Sequence, residues 1–200
     1  MKGSEVLEKI LHGNRRFVLG ERTGLCNPVD VDLGSMVHSQ NPMAAVLCCS
    51  DSRVPPDHVL DKKIGDIFVV RVAGKVPGPA VVGSLEYAVE HLKVPLLLVL
   101  GHEGCGAVKA ALQSDGGEAE GALAELIREI EPAVRPILCQ AEEVGDVMKE
   151  AVHATVWHTM SKLLERSPLI AEAVADGRLM LKGAVYSLTT GEVTILEEEG

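Results

Sequence analysis

The chain has 200 residues, of which 46% are hydrophobic and 24% charged, so its composition is that of a folded globular protein and not of a disordered one. Its formal net charge of −10 makes nucleic acid a poor partner, because a phosphate backbone repels an acidic surface. No apolar run reaches the roughly 18 to 20 residues that span a bilayer, so we expect no membrane partner.

The predicted elements begin with a helix over residues 4–19, with Ser4 as its N-cap and Gly20 at its end. The hydrophobic periodicity fails after this helix, so residues 1–42 are predicted to form a helical arm and a connector. Residues 43–200 are predicted to form the α/β body of the same single domain, which therefore spans the whole chain, residues 1–200.

The body begins with short apolar runs of the kind found in strands that are buried on both faces. These runs cover residues 44–49, 67–71 and 95–100, and the last is predicted to stop at Gly101. A helical pattern over residues 79–94 separates the second run from the third. This order predicts an α/β fold with a mostly parallel central sheet flanked by helices.

The C-terminal half is predicted to be mostly helical and to close with a strand, a turn and a C-terminal edge strand. The predicted helices cover residues 105–113, 119–130, 144–164 and 169–175, and the predicted strands cover residues 179–188 and 192–196. The pairs Gly116–Gly117 and Pro132/Pro136 are predicted to mark loops or helix ends.

Two of the predicted strand ends carry side chains that can bind a metal ion, and the carboxyl ends of parallel strands are where α/β sheets bind ligands. Cys49 follows the first strand, and His102 and Cys105 follow the third. His102 and Cys105 lie three residues apart at the predicted start of a helix, so both side chains can face one point. Two thiolates and one imidazole predict a tetrahedral zinc site with its fourth position open, which is typical of catalytic zinc.

The remaining cysteines are predicted to lie outside this site. Cys48 points to the opposite face of its strand from Cys49, because strand side chains alternate, so we assign it to the core. Cys26 and Cys139 have no matching ligand nearby in the sequence and are predicted to be incidental thiols. An odd total of five cysteines and an N-terminus without an apolar signal core predict a reducing, cytoplasmic location.

Two motifs in this region resemble those of the beta-class carbonic anhydrases: C-x-D-S-R over residues 49–53 and G-H-x-x-C-G over residues 101–106. The resemblance continues through residues 65–71, 84–89 and 183–186 and covers about residues 5–196. It implies the fold of that family and one zinc ion per chain. It also implies a carbonate dehydratase that reversibly hydrates CO2 to bicarbonate and a proton by attack of zinc-bound hydroxide.

The resemblance implies a role for each residue of the predicted site. Cys49, His102 and Cys105 would be the zinc ligands. Asp51 would accept a hydrogen bond from the nucleophile while Arg53 holds it in place, and Asp51 would become a conditional fourth ligand in a closed state. The implied substrate pocket consists of Gln40, Phe68, Ala73 and Tyr87.

The chain departs from the family pattern in one stretch beside the predicted pocket. Residues 71–75 read Arg-Val-Ala-Gly-Lys, whereas Arg-Asn-Ala-Gly-Asn is commoner in the family. This departure leaves the implied ligands and the Asp51–Arg53 pair unchanged. The resemblance further implies a homodimer, with the helix over residues 4–19 embracing a partner, or a dimer of dimers.

Two alternative functions remain open from the sequence. The first is zinc-dependent hydrolysis of carbonyl sulfide or carbon disulfide, because these small linear electrophiles could use the same ligands and nucleophile. The second is a non-catalytic module that senses zinc or bicarbonate, which predicts a metal ion whose fourth position is blocked. An intact Asp51–Arg53 pair favours an enzyme over such a module.

Overall fold

Five strands form one sheet in a computed structural model that describes residues 1–23, 33–114, 120–139 and 146–197. The strands are β1 (Ala44–Cys48), β2 (Ile67–Arg71), β3 (Leu96–His102), β4 (Met180–Tyr186) and β5 (Val193–Ile195). Their order is β2-β1-β3-β4-β5, with the first four parallel and β5 antiparallel to β4. The prediction of a mostly parallel sheet with a C-terminal edge strand is confirmed.

Eight α-helices connect or flank these strands within the described ranges. They are α1 (Gly3–Leu19), α2 (Leu33–Met36), α3 (Pro56–Val59), α4 (Pro79–Glu90), α5 (Gly106–Gln113), α6 (Gly121–Cys139), α7 (Val147–Arg166) and α8 (Pro168–Ala175), and Ala73–Lys75 form a 3-10 turn. None of the described helices combines the length and the apolar character needed to cross a membrane.

The sheet separates two layers of helices, and the alternation of strand side chains decides which layer each residue meets. In β1 and β3 the even-numbered residues pack with α1 and α3, whereas the odd-numbered residues pack with α4, α7 and α8. Both strands are therefore buried on both faces, as their continuous apolar runs predict. A third cluster, formed by α5, α6 and α7, covers the carboxyl end of the sheet and contains Cys49 and Cys105.

The prediction that the third strand stops at Gly101 is wrong. β3 continues through His102, which pairs with Tyr186 of β4. A Cβ atom at Gly101 would lie 2.6 Å from the side chain of Val156, so glycine here lets α7 pack closely on the sheet. The glycine is thus explained by the close approach of a helix and not by a strand end.

Several predicted helix boundaries also differ from the structure. Helix α6 continues through Pro132 and Pro136, so the prediction that these prolines mark helix ends is wrong. Each proline removes one hydrogen bond from the helix, but the helix still buries a continuous apolar side formed by Ile127, Ile130, Ala133 and Val134. The predicted Gly116–Gly117 loop, and positions 119 and 144 at predicted helix starts, lie outside the described residues.

The N-terminal helix α1 packs on its own sheet. Val6 and Ile10 are completely buried in the cluster that includes β1 and β3. The helix ends at Gly20 as predicted, but it begins at Gly3, with Lys2 at the N-cap position in place of the predicted Ser4. The backbone N–H of Lys2 donates to Oε2 of Glu5 at 3.2 Å, which supports this earlier start.

Asn14 fastens α1 to two distant parts of the chain. Its Nδ2 donates to the carbonyl oxygens of Val59 (3.0 Å) and Gly191 (2.8 Å). Its Oδ1 accepts from the backbone N–H of Val193 at 2.8 Å. Because Asn14 is buried, water does not replace these contacts when the side chain is lost.

We expect Asn14→Ala to lower the free energy of unfolding by about 2–4 kcal/mol, because three backbone groups lose their partner and two of these hydrogen bonds are buried. Urea denaturation followed by circular dichroism measures this change. Asn41→Ala is the control, since Asn41 is exposed and its loss is expected to cost less than about 0.5 kcal/mol. Equal destabilisation by the two substitutions would contradict the anchoring role of Asn14.

Candidate metal centre

The ends of β1 and β3 bring three ligand side chains to one point. Cys49 directly follows β1, His102 is the last residue of β3, and Cys105 is the N-cap of α5. Their donor atoms all lie within 4.8 Å of one another, and all three residues are buried. The predicted convergence of these residues is therefore present in the structure.

The local route to this convergence differs from the prediction. His102 and Cys105 do not share a helix, because His102 belongs to β3 and α5 begins only at Gly106. Gly104 between them has a left-handed φ of 60°, which glycine adopts without strain, and the chain turns there. This turn returns Cys105 towards His102.

The ring of His102 is oriented for metal binding. Nδ1 lies 2.9 Å from the carbonyl oxygen of Glu103, which can only accept, so Nδ1 carries the proton and donates it. Nε2 is then the unprotonated nitrogen. Among the described residues it has no hydrogen-bond partner although it is buried. A buried ring nitrogen without a partner and with a free lone pair is what a metal ligand requires.

The two sulfur atoms are spaced as ligands of one ion. Sγ of Cys49 and Sγ of Cys105 lie 4.0 Å apart. Two sulfurs bound to one tetrahedral zinc at about 2.3 Å would be about 3.8 Å apart. The backbone N–H of Gly74 also donates to Sγ of Cys49 at 3.4 Å. The donor atoms present therefore fit a zinc ion in a Cys-His-Cys site.

The charges of the two thiols are coupled. Hydrogen bonding between the sulfurs lowers the pKa of Cys105 to about 6 and raises the pKa of Cys49 to about 11. The pair therefore holds one proton between its sulfurs at neutral pH, and a divalent cation that binds both sulfurs displaces it. In contrast, burial raises the pKa of Cys48 to about 12, and this side chain lies in the core, as predicted.

Asp51 and Arg53 form a two-pronged ion pair beside the ligands. Nε of Arg53 donates to Oδ1 of Asp51 at 2.9 Å, and Nη2 donates to Oδ2 at 2.7 Å. These bonds hold the pKa of Asp51 well below its usual range. Oδ2 of Asp51 lies 3.9 Å from Nε2 of His102, so the carboxylate faces the metal centre while Arg53 holds it.

A second arginine, Arg71, holds the backbone of the same loop, and no role was predicted for it from the sequence. Nε of Arg71 donates to the carbonyl oxygen of Cys49 at 3.1 Å, and Nη2 donates to that of Asp51 at 2.7 Å. Arg71 ends β2, the neighbour of β1. The signal in the sequence was its place in two stretches compared with the beta-class pattern, residues 65–71 and 71–75. Arg71 thus positions the backbone of Cys49 and of Asp51 together.

The four predicted pocket residues lie at different distances from the metal centre. Ala73 lies in the 3-10 turn whose next residue, Gly74, contacts Cys49. Phe68 and Tyr87 contact each other, with ring centroids 6.1 Å apart. Phe68 pairs with Ala45, which lies about 10 Å from Cys48 along β1. Gln40 is exposed and precedes β1, at the opposite end of the strand from Cys49. Within one chain, therefore, Ala73 adjoins the metal centre and the other three do not.

The other two cysteines lie away from the ligands. Cys139 is a free, exposed thiol at the end of α6. Cys26 lies outside the described residues.

Known proteins that are similar to this chain in sequence or in structure are all described as carbonic anhydrases. Residues 44–193 match the family model described as carbonic anhydrase. "Carbonic anhydrase 2" of Mycobacterium tuberculosis is 38% identical over 190 residues, which cover 94% of this chain and 90% of that protein. A Coccomyxa beta-carbonic anhydrase, solved in complex with acetazolamide, has a TM-score of 0.76 at 28% identity and covers 95% of this chain and 86% of that one. A tetrameric beta-carbonic anhydrase from Sordaria macrospora has a TM-score of 0.73 at 26% identity, covering 85% and 87%.

Proposed function

The chain belongs to the carbonic anhydrase family, in its beta class, and from this premise we propose that it reversibly hydrates CO2 to bicarbonate and a proton with one zinc ion per chain. The observation that carries the proposal is the group of three buried donor atoms, within 4.8 Å of one another, from Cys49, His102 and Cys105. Three protein ligands leave the fourth position of a tetrahedral ion to water or substrate.

The ligands present would hold zinc, and the other residues act on the reacting water. When bound, zinc acts as a Lewis acid that lowers the pKa of a water molecule and so supplies the nucleophile for CO2. Asp51 remains ionised beside Arg53 and therefore accepts hydrogen bonds without donating them. It would accept a hydrogen bond from the O–H of the attacking water, and this bond would turn an oxygen lone pair towards the carbon of CO2. The proton of the reaction passes to the solvent buffer.

Arg53 and Arg71 fix the position of Asp51 from two sides. Arg53 binds its carboxylate through two hydrogen bonds, and Arg71 binds its backbone carbonyl oxygen. While Arg53 makes these contacts, the carboxylate of Asp51 is engaged and would leave the fourth position of a bound zinc ion to water. A closed state with Asp51 as the fourth ligand would require that these contacts break.

The proposed function is tested by measuring CO2 hydration in a stopped-flow instrument on protein whose zinc content is known. We expect one zinc per chain, loss of hydration after chelation and recovery after zinc is added back. Stoichiometric zinc without hydration would contradict the enzyme and favour a sensing module. Protein that binds no zinc would contradict the metal centre itself.

We further propose that the protein is a homodimer or a dimer of dimers. The support is its similarity to a beta-carbonic anhydrase described as tetrameric. A second subunit would also give the exposed Gln40 and Tyr87 a place beside a catalytic pocket, which they do not reach within their own chain. Light scattering of the zinc-analysed preparation measures the number of chains, and a mass of one chain would contradict this assembly.

We also propose that the protein is cytoplasmic and that residues 1–200 fold as one domain. The cytoplasmic location is supported by the free thiols of Cys48, Cys49, Cys105 and Cys139. The single domain is supported by the packing of α1 into the same core cluster as β1 and β3. Cell fractionation tests the location, and a single cooperative unfolding transition tests the domain.

A further inference from the structure

Glu103 lies in the turn that joins two of the metal ligands. This turn, residues 103–104, connects His102, the last residue of β3, to Cys105, the N-cap of α5. The carbonyl oxygen of Glu103 accepts the hydrogen bond from Nδ1 of His102 at 2.9 Å. A bond of this kind fixes the tautomer and the orientation of a metal-binding histidine ring. The position of the Glu103 backbone therefore decides where Nε2 of His102 points.

The backbone holds this turn on one side only. The N–H of Glu103 donates to the carbonyl oxygen of Tyr186, the last residue of β4, at 3.0 Å. The strand pairing ends there, and both residues of the turn are exposed to solvent. Gly104 has no side chain that could hold the turn, and its carbonyl oxygen accepts from Nη2 of the exposed Arg53 at 3.3 Å. A further restraint on the turn must come from the side chain of Glu103.

The carboxylate of Glu103 supplies that restraint. Its Oε2 accepts from the backbone N–H and from Oγ1 of Thr189, both at 3.3 Å. Thr189 lies in the connection between β4 and β5, 86 positions away along the chain. In the part of the chain that the structure describes, no lysine, arginine or histidine forms an ion pair with Glu103. The carboxylate therefore serves to bind the turn to the connection that contains Thr189.

The connection that contains Thr189 is itself fixed in place. Oγ of Ser187 accepts from the backbone N–H of Thr190 at 3.1 Å, and the N–H of Gly191 donates to the carbonyl oxygen of Ser187 at 2.9 Å. The buried Asn14 of α1 then donates to the carbonyl oxygen of Gly191 at 2.8 Å. Thr189 thus offers Glu103 a partner that belongs to an ordered connection.

Building on the proposed zinc site, we infer that Glu103 is a positioning residue: its carboxylate, bound to Thr189, holds the carbonyl oxygen that orients His102 for zinc. Its role differs from that of Asp51, because Glu103 acts on a ligand through the backbone and not on the reacting water. The property that matters is the ability of the side chain to accept hydrogen bonds from Thr189, and not its charge. Loss of this acceptor should weaken zinc binding and loosen the ring of His102.

The test compares zinc dissociation constants, measured by competition with a chromophoric chelator, for the full chain and its variants. Glu103→Ala is expected to weaken zinc binding by about 10-fold, the lower end of the usual effect of losing support for a ligand, because the carbonyl oxygen that binds His102 remains. Glu103→Gln keeps an oxygen that accepts from Thr189 and is expected to stay within about two-fold of the wild-type value. Thermal unfolding of the metal-free proteins shows that each variant is folded.

The connection between β4 and β5 offers a matched control. Glu192 is exposed, and its Oε2 accepts from Oγ1 of Thr190 at 3.3 Å, the same kind and length of bond as that between Glu103 and Thr189. Within the described ranges, Glu192 forms no hydrogen bond with residues 103–104. Glu192→Ala is therefore expected to leave the zinc dissociation constant within about two-fold of the wild-type value, as for an ordinary surface substitution.

A spectroscopic readout follows the ring of His102 itself. In zinc-loaded protein with 15N-labelled histidine, the proton on Nδ1 of His102 is buried and hydrogen-bonded, so we expect it to exchange slowly with water. Glu103→Ala is expected to speed this exchange by about 10-fold, because local opening of the turn becomes easier. Glu103→Gln and Glu192→Ala are expected to leave the exchange rate unchanged.

The outcomes separate this inference from the proposed function. A wild-type chain that binds no zinc would contradict the proposed function, and this inference with it. If the wild-type chain binds zinc, unchanged affinity in Glu103→Ala, or an equal loss in Glu192→Ala, would overturn the inference alone. An equal loss in Glu103→Gln would show that charge and not the bond to Thr189 is needed, and weaker binding with unchanged proton exchange would show that the ring is not held through Glu103. Either result would also overturn the inference.

Discussion

Cys49→Ala is expected to abolish stoichiometric zinc binding and to lower the rate of CO2 hydration by about 1,000-fold or more. Cys49 supplies one of three buried donors, and two remaining protein ligands do not hold zinc tightly. Without the ion, the reaction loses Lewis-acid activation of water, which contributes several kcal/mol to catalysis. Zinc content is measured by atomic absorption and hydration by stopped flow.

The adjacent Cys48 provides the control for this substitution. Cys48→Ala removes the same atoms from the neighbouring residue, but its side chain lies in the core on the other face of β1. We expect this variant to keep one zinc per chain and near wild-type hydration, with a loss of stability of about 1 kcal/mol. Full zinc binding by Cys49→Ala, or its loss in Cys48→Ala, would exclude the assigned ligand set.

The metal centre could be predicted because two simple rules apply to it. Strand alternation separates Cys48 from Cys49, and the carboxyl ends of parallel strands lie at the same edge of the sheet. Both rules depend on local sequence and on sheet type, which the continuous apolar runs already indicate. The convergence of Cys49 with His102 and Cys105 therefore followed from the sequence, even though His102 was assigned to the wrong element.

The errors arose where tertiary contacts override local preferences. Gly101 has the usual signature of a strand end, but its role depends on Val156 in a helix more than 50 residues away along the chain. Pro132 and Pro136 oppose a helix locally, yet the buried side of α6 keeps them helical. No local pattern reports contacts of this kind, so helix and strand ends are the least predictable features.

The polar residues around the metal ligands could not be predicted from local sequence patterns either. Arg71 lies far from Cys49 and Asp51 in the sequence, and only the parallel pairing of β1 and β2 brings it to their carbonyl oxygens. Ligands can be identified by their residue type, whereas the residues that orient them are identified by their contacts.

The second large effect is expected for Asp51→Asn, which keeps the size of the side chain and removes its charge. We expect CO2 hydration to fall by about 100-fold or more, the usual effect of losing one oriented hydrogen-bonding group at the reacting atoms. Asparagine presents an NH2 group where the carboxylate accepts hydrogen bonds, and it binds Arg53 more weakly. Zinc content is expected to remain one per chain, because the three protein ligands are unchanged.

Asp57→Asn is the matched control, since Asp57 lies in the same connection between β1 and β2 but in helix α3. It is expected to hydrate CO2 at close to the wild-type rate.

The pH–rate profile provides a second test of the role of Asp51. Because Arg53 holds the pKa of Asp51 below its usual value, Asp51 stays ionised above about pH 4 and does not titrate between pH 6 and 9. Asp51→Asn should therefore lower the plateau of the profile without removing a titration of its own, and a wild-type plateau would exclude Asp51 from catalysis.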